Sequence, residues 1–357
     1  MRSTLFVLPL LAAVSPAQIV AVSPVDRAGL EGSSFTHFPL GRADARMQTL
    51  HRDVPGGTVI SGHAYRRDAI TVRGLVDGFT ADLQVTLSVA SNLPTAASTT
   101  FANNVGTGAV VVLPRTLIAF PPTNRPSLDP SPTFDLVIPY QVPFVMPAQG
   151  GTLCVDVQVF GNSSALGTNQ NLSIYLDAHE HYLDGRSEAP GYRTLQGCAA
   201  PGLTTPCTAT MSMWRLPAGP RLDVSIRDGV RDTGGGVAIP FVMVGTSIAG
   251  SPWPLHPACT MWSSNEVWFP LPGSLNAQGD YDGSLAALPT VPPGYRLWCQ
   301  AGSVHWWTVD MAFSDAVTFV TPAAGTLPIP TARIVNSTNH AAATGTVSYA
   351  VPVMAFR

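Results

Sequence analysis

The feature that most constrains this chain is its punctuation. Proline (33) and glycine (32) recur along all 357 residues rather than in one tract. Proline removes a backbone donor and glycine adds chain entropy, so a long helix is disfavoured throughout. Short apolar or alternating runs lie between these breaks. "ADLQVTLSVA" (81–90) sets Leu83, Val85, Leu87 and Val89 against polar partners, the period of a half-buried strand. "GAVVVLPRTLIAF", "TFDLVIPYQVPFV", "TLCVDVQVF", "RLDVSIRDG", "AIPFVMVGTS" and "TGTVSYAVPVMAF" continue the pattern. Strands spaced by roughly 8–15 residues with turn residues between them predict an all-β chain of two β-sandwich, jelly-roll-like domains.

Charge narrows the function classes. Charged residues make up 11% and the formal net charge is −3, so no electrostatic footprint for nucleic acid or an anionic membrane is present. Every basic residue is arginine. A lysine Schiff base, a lysine general base and a P-loop are thereby excluded. The opening "MRSTLFVLPLLAAVSPAQ" carries Arg2, an apolar run from Leu5 to Val14, and small residues Ser15 and Ala17 before Gln18. It reads as a secretory signal peptide over residues 1–17. The expected mature chain has no membrane span and is secreted, periplasmic or held at the cell surface.

Export makes disulfides permissible. Five cysteines are present: Cys154, Cys198, Cys207, Cys259 and Cys299. Cys154 lies in the strand-like "GGTLCVDVQV" and reads as a buried free thiol. The other four suggest two bridges between 198 and 299, and the residues leave their pairing open. A loop-rich junction falls near 184–210, and all seven tryptophans follow it, from Trp214 onward. Two units of different ancestry are expected.

"LEGSSFTHFPLGRADARMQTLHRD", "VISGHAYRRDA", "TTFANNVGTGAVVV" and "FDLVIPYQVPFVMPAQGGTLCVDVQV" resemble the N-terminal β-sandwich of uncharacterised secreted proteins from Planctomycetes-type bacteria. "LPAGPRLDVSIRDG", "PFVMVGTS", "PWPLHPACTMWSS", "GYRLWCQAG" and "FSDAVTFV" resemble a second module common in the same secretomes. That second resemblance implies Cys198–Cys259 with Cys207–Cys299. The sequence-local alternative is Cys198–Cys207 with Cys259–Cys299. The tail "PTARIVNSTNHAAATGTVSYAVPVMAFR" resembles closing strands of the first family. It implies a discontinuous first domain, 18–195 plus 322–357, with 196–321 inserted. The alternative packs the tail on the second module. Neither family implies an established activity.

Candidate sites are few. Asp177, His179 and His181 in "LDAHEHYLDG" share a spacing of two and form a candidate first-row metal set, with His37 or His63 as a further ligand. The bland reading is a polar strand end. Trp262, Trp268, Trp306 and Trp307 are candidate ligand-binding residues, since tryptophan faces stack on sugars. Trp306 and Trp307 would lie on opposite faces of a strand, and Trp262 and Trp268 on one face of an unbroken strand. Core packing is the alternative for all four. "NAQGDYDGS" offers Asn276, Asp280 and Asp282 to Ca²⁺, against a hairpin turn. No Gly-x-Ser-x-Gly elbow is present. Asp135, Asp156, Asp223, Glu266 and Asp310 are candidates for a carboxylate pair, with none favoured. The expectation is an exported, non-enzymatic protein with a structural, adhesive or glycan-binding role, whose partners are glycans or cell-surface components and which needs no cofactor. The alternatives are a secreted polysaccharide hydrolase or lyase with carboxylates in an interdomain groove, and a metal-dependent oxidation at Asp177, His179 and His181.

Overall fold

The computed structural model describes residues 18–68, 75–124, 133–163, 172–231, 236–253, 256–286 and 288–357. The expected leader, 1–17, lies outside them. The protein is all-β, with antiparallel sheets and no α-helix among the described residues.

One six-stranded sheet runs in the order Thr346–Ser348, Thr331–Asn336, Ala45–His51, Leu153–Asn162, Phe79–Val89, Val110–Phe120. A four-stranded sheet is ordered Ala21–Ser23, Met354–Phe356, Val59–Tyr65, Leu136–Val145. Along Phe79–Val89 the alternation read from sequence is realised: Ala81, Leu83, Val85 and Leu87 are buried. Leu83, Val85 and Leu87 sit opposite Val159, Val157 and Val155 of the neighbouring strand. Together with Met47 they join one core with Ile60, Leu136, Ile138 and Phe356 of the other sheet. Both prolines within Leu136–Val145, Pro139 and Pro143, and Pro114 within Val110–Phe120, lie on edge strands. A proline there forfeits no ladder bond and blocks pairing with another chain.

The last strands of the chain return to this sandwich. Thr331–Asn336 pairs with Ala45–His51, and Met354–Phe356 lies between Ala21–Ser23 and Val59–Tyr65. Ala350–Pro352 pairs with Leu176–Glu180, which also pairs with Ser34–Thr36.

The residues between form a second sandwich. Its four-stranded sheet is ordered Ser187–Pro190, Thr208–Leu216, Gly219–Arg227, Tyr281–Ala286. Its five-stranded sheet is ordered Tyr192–Thr194, Met311–Val320, Arg296–His305, Ala238–Gly245, Val267–Pro270. Met211, Leu222 and Val224 of the first pack with Val242, Leu297 and Val317 of the second. The crossing into this module falls before Ser187 rather than at residue 196, because Ser187–Pro190 and Tyr192–Thr194 pair with its strands.

Cys198–Cys259 is a disulfide that ties down the ribbon made by Ile248–Trp253 and His256–Ser263, since Cys259 lies on the second of these strands. The expected second bridge is corrected: Cys207 and Cys299 are free thiols, as is Cys154. The same finding overturns the sequence-local pairing. Cys207 and Cys299 are both buried members of the second apolar core, where sulfur serves as a small hydrophobe. Burial pushes the Cys207 thiol up to about 12 and raises those of Cys154 and Cys299 as well, so all three stay protonated and inert. The bridge spans 61 residues. Its removal as Cys198→Ser with Cys259→Ser is expected to lower unfolding stability by about 2–4 kcal/mol, read by urea titration.

Candidate functional site

The strand Leu176–Glu180 carries the predicted polar cluster to the seam between the sandwiches. Asp177 and His179 both turn toward residues 31–33, as a period of two requires. Asp177 Oδ1 accepts the Gly32 amide at 2.8 Å, and Oδ2 pairs with the Arg66 guanidinium. Both side chains of this ion pair are 0% exposed. Gly32 is dictated by this approach: a Cβ there would lie 1.9 Å from the Ala178 carbonyl oxygen. Arg66 also donates to the carbonyl of Leu30. His179 Nδ1 lies 3.0 Å from Ser33 Oγ, and its ring meets His181 edge-on at 4.7 Å between centroids. Burial, then the nearby Arg27 charge, holds His179 well below the usual imidazole value, and burial brings His181 to about 4. Both are neutral at pH 7.

This arrangement does not converge on a metal through the histidines. Among the described residues, the trio of His, Cys, Asp or Glu whose ligand atoms lie within 4.8 Å of one another is Glu31, Asp68 and Asp177. Both Asp177 oxygens are engaged, and the Arg66 guanidinium beside them opposes a second cation. His63 instead bonds Tyr140 Oη through Nδ1 at 2.7 Å, and His37 lies against the Tyr175 ring. What the cluster does is hold a buried, charged joint. Gly32, Arg27 and Leu30 meet Pro190, Tyr192 and Thr321 of the second sandwich around a cavity of about 10 Å³, room for one water. Beside it an open cleft of about 360 Å³ is walled by Phe35, Asp68, Tyr192 and Arg193. Sequence reasoning missed Arg66, Arg67 and Asp68, all buried. The signal was available: "RRD" directly after a strand, in a chain with so few charges.

The tryptophans divide. Trp262 is partly buried and donates Nε1–H to the Gln196 carbonyl. Trp268 stacks on Phe241, with centroids 4.9 Å apart. A break between Ser263 and Val267 places these two on separate strands, so the shared-face expectation fails. Trp306 and Trp307 lie on no strand. They form the turn between Arg296–His305 and Met311–Val320, 67% and 71% exposed. The turn is fixed from within. Val309 N–H donates to the His305 carbonyl at 2.9 Å, and Thr308 Oγ1 donates to Asp310 Oδ2 at 2.6 Å. The Trp306 amide donates to the Val237 carbonyl. Val309 adopts φ 60°, a costly conformation for a β-branched residue. Such strain persists only where surroundings impose it, and it concentrates at functional positions. Val237 and Val309, 50% and 57% exposed, extend the apolar tip.

The remaining candidates are each engaged with local partners. Asn276 Oδ1 accepts the amides of Gln278 and Asp280, and Asp282 forms a two-pronged pair with Arg227. The calcium set is thus spent on a turn and an ion pair. That turn is no hairpin: it joins Val267–Pro270 in one sheet to Tyr281–Ala286 in the other. Asp156 is paired with Arg46, Asp223 with Arg221, Glu266 with Ser264 and Asp310 with Thr308, each in its own neighbourhood.

Fold and tip together define a two-module β-sandwich protein with a projecting aromatic turn. No family model, no curated protein and no solved structure matches the chain.

Proposed function

We propose that this is an exported, non-enzymatic β-sandwich protein with an adhesive or glycan-binding role, exercised through the turn bearing Trp306 and Trp307. The observation that carries the reading is the exposure of two adjacent indoles on a turn held rigid by its own hydrogen bonds. An indole left in water offers a large flat apolar face with an N–H at its edge, which suits the C–H face and hydroxyl rim of a sugar ring. A rigid turn holds those faces at little entropic cost on binding. Asp310 and Thr308 stand beside them as hydroxyl partners. The disulfide, and the lack of any helix long and apolar enough to cross a membrane among the described residues, are compatible with an extracellular setting.

A glycan array with the purified chain tests this. Trp306→Ala and Trp307→Ala are each expected to weaken glycan binding at least about tenfold, with thermal stability nearly unchanged because both side chains are exposed. Equal binding by the wild type and both variants sinks the reading.

A second reading, a secreted polysaccharide hydrolase or lyase, draws on the cleft of about 360 Å³ walled by Phe35, Tyr192 and Asp68. Asp68 is the carboxylate among the residues that line it, and it would be the group facing substrate. Polysaccharide turnover that vanishes in Asp68→Asn would establish it over the first.

A further inference from the structure

The second sandwich is not closed at one end. A cavity of about 250 Å³ opens between its two sheets. Met213 and Leu222 line it from one sheet, and Val244, Leu297, Cys299 and Phe319 from the other. Its interior offers water almost no partner. The sole polar group among those six side chains is a thiol kept neutral by burial. The hollow is half open to solvent and its accessible surface is almost entirely apolar, so an apolar guest that covers it is favoured. The volume exceeds the roughly 150 Å³ of an apolar cavity that accepts benzene, and it falls below the roughly 300 Å³ of the smallest drug-sized pockets. A single alkyl chain or one ring fits; a bulky lipid does not.

The rim sets the other end of the ligand. Thr246, Glu266 and Tyr295 stand at the mouth. Glu266 accepts hydrogen bonds from Ser264 Oγ at 2.7 Å and from Thr246 Oγ1 at 3.0 Å, an arrangement that keeps its carboxylate ionised and fixed in place. Val267 and Tyr295 are exposed beside it and extend the apolar lip.

We infer that this cavity is a binding site for a single-chain amphiphile, its hydrocarbon between the sheets and a cationic head at Glu266. The site is separate from the tryptophan turn and does not rest on glycan binding. Its parts are an apolar slot and one anionic gate, so the slot supplies affinity and the gate supplies preference.

The test is calorimetric titration of the full chain with n-octylammonium and n-octanoate, each below its micellar concentration, and with n-octanol below its solubility limit. Octylammonium is expected to bind saturably and about fivefold tighter than octanoate, the small ratio an exposed charge provides. Glu266→Gln should bring the two within about twofold. Val244→Phe, which fills the slot, should weaken all three at least about tenfold, while Trp306→Ala should leave them unchanged. Where Val244→Phe does not fold, methyl resonances of Val244, Leu297 and Met213 in the wild-type chain decide: octylammonium must shift them in step with the binding isotherm. No saturable binding, unshifted methyls, or binding lost in Trp306→Ala overturns the inference.

Discussion

Replacing Asp177 with alanine is expected to cost about 3–5 kcal/mol of unfolding free energy. Arg66 and Asp177 are both sealed from solvent, and their attraction offsets a large desolvation cost only while both are present. Removing the carboxylate strands the Arg66 charge and also orphans the Gly32 amide. Asp177→Asn should be milder, because the amide oxygen still accepts from Gly32, yet it leaves the guanidinium without its counter-charge. Arg66→Met with Asp177→Leu should recover part of the loss, since an apolar pair of similar volume removes both desolvation penalties but leaves the Gly32 amide unpaired. Urea unfolding followed by far-UV circular dichroism measures all three. Tryptophan fluorescence adds a second readout, because every tryptophan lies at or beyond residue 214, in the second sandwich. A double variant no better than Asp177→Ala would show that the ion pair itself is not what the fold depends on.

The strands were legible because their residues obey a local rule. Alternation in "ADLQVTLSVA" depends on the chain's own period, and the neighbouring sheet only accepts what it presents. Edge prolines were legible for the same reason. The tryptophan turn was not. "VHWWTVD" has the composition of a strand, and its departure into a turn rests on the bond from Thr308 to Asp310 and on the closure from Val309 to His305. Those are tertiary choices that periodicity does not encode. Cysteine pairing failed differently: a thiol in an apolar strand and a half-cystine can share the same neighbours in sequence, and Cys299 in "YRLWCQAG" looks like either. The spacing of Asp177, His179 and His181 correctly placed two side chains on one face. What they face is set by Gly32 and Arg66, remote in sequence, which turns a candidate metal set into a charged joint.

Four buried histidines, His51, His63, His179 and His181, make the fold acid-sensitive. His51 and His63 are held down to about 3 by burial, His181 to about 4, and His179 well below its ordinary value. Three of the rings are placed as neutral partners: His51 lies between Ser23 and Thr49, His63 bonds Tyr140, and His179 bonds Ser33. In the unfolded chain the same rings titrate near 6.5. Below that pH the unfolded state binds protons that the native state refuses, so stability is full above about pH 6.5 and falls as pH drops toward the folded values. Each ring that stays neutral lowers the folding constant about tenfold per pH unit in that window. Four acting together outweigh any single contact in the protein. Asp53 and Glu188, whose carboxyls burial raises, act with the opposite sign, but near the carboxylate range at the acid end of the window. The denaturation midpoint in urea should therefore fall steeply from pH 6.5 to 5 and stay nearly flat from 6.5 to 8. His179→Asn, losing one titrating ring of the four, should reduce the acid slope by about a quarter. A midpoint unchanged between pH 6.5 and 5 would mean that these rings already find protons in the native state.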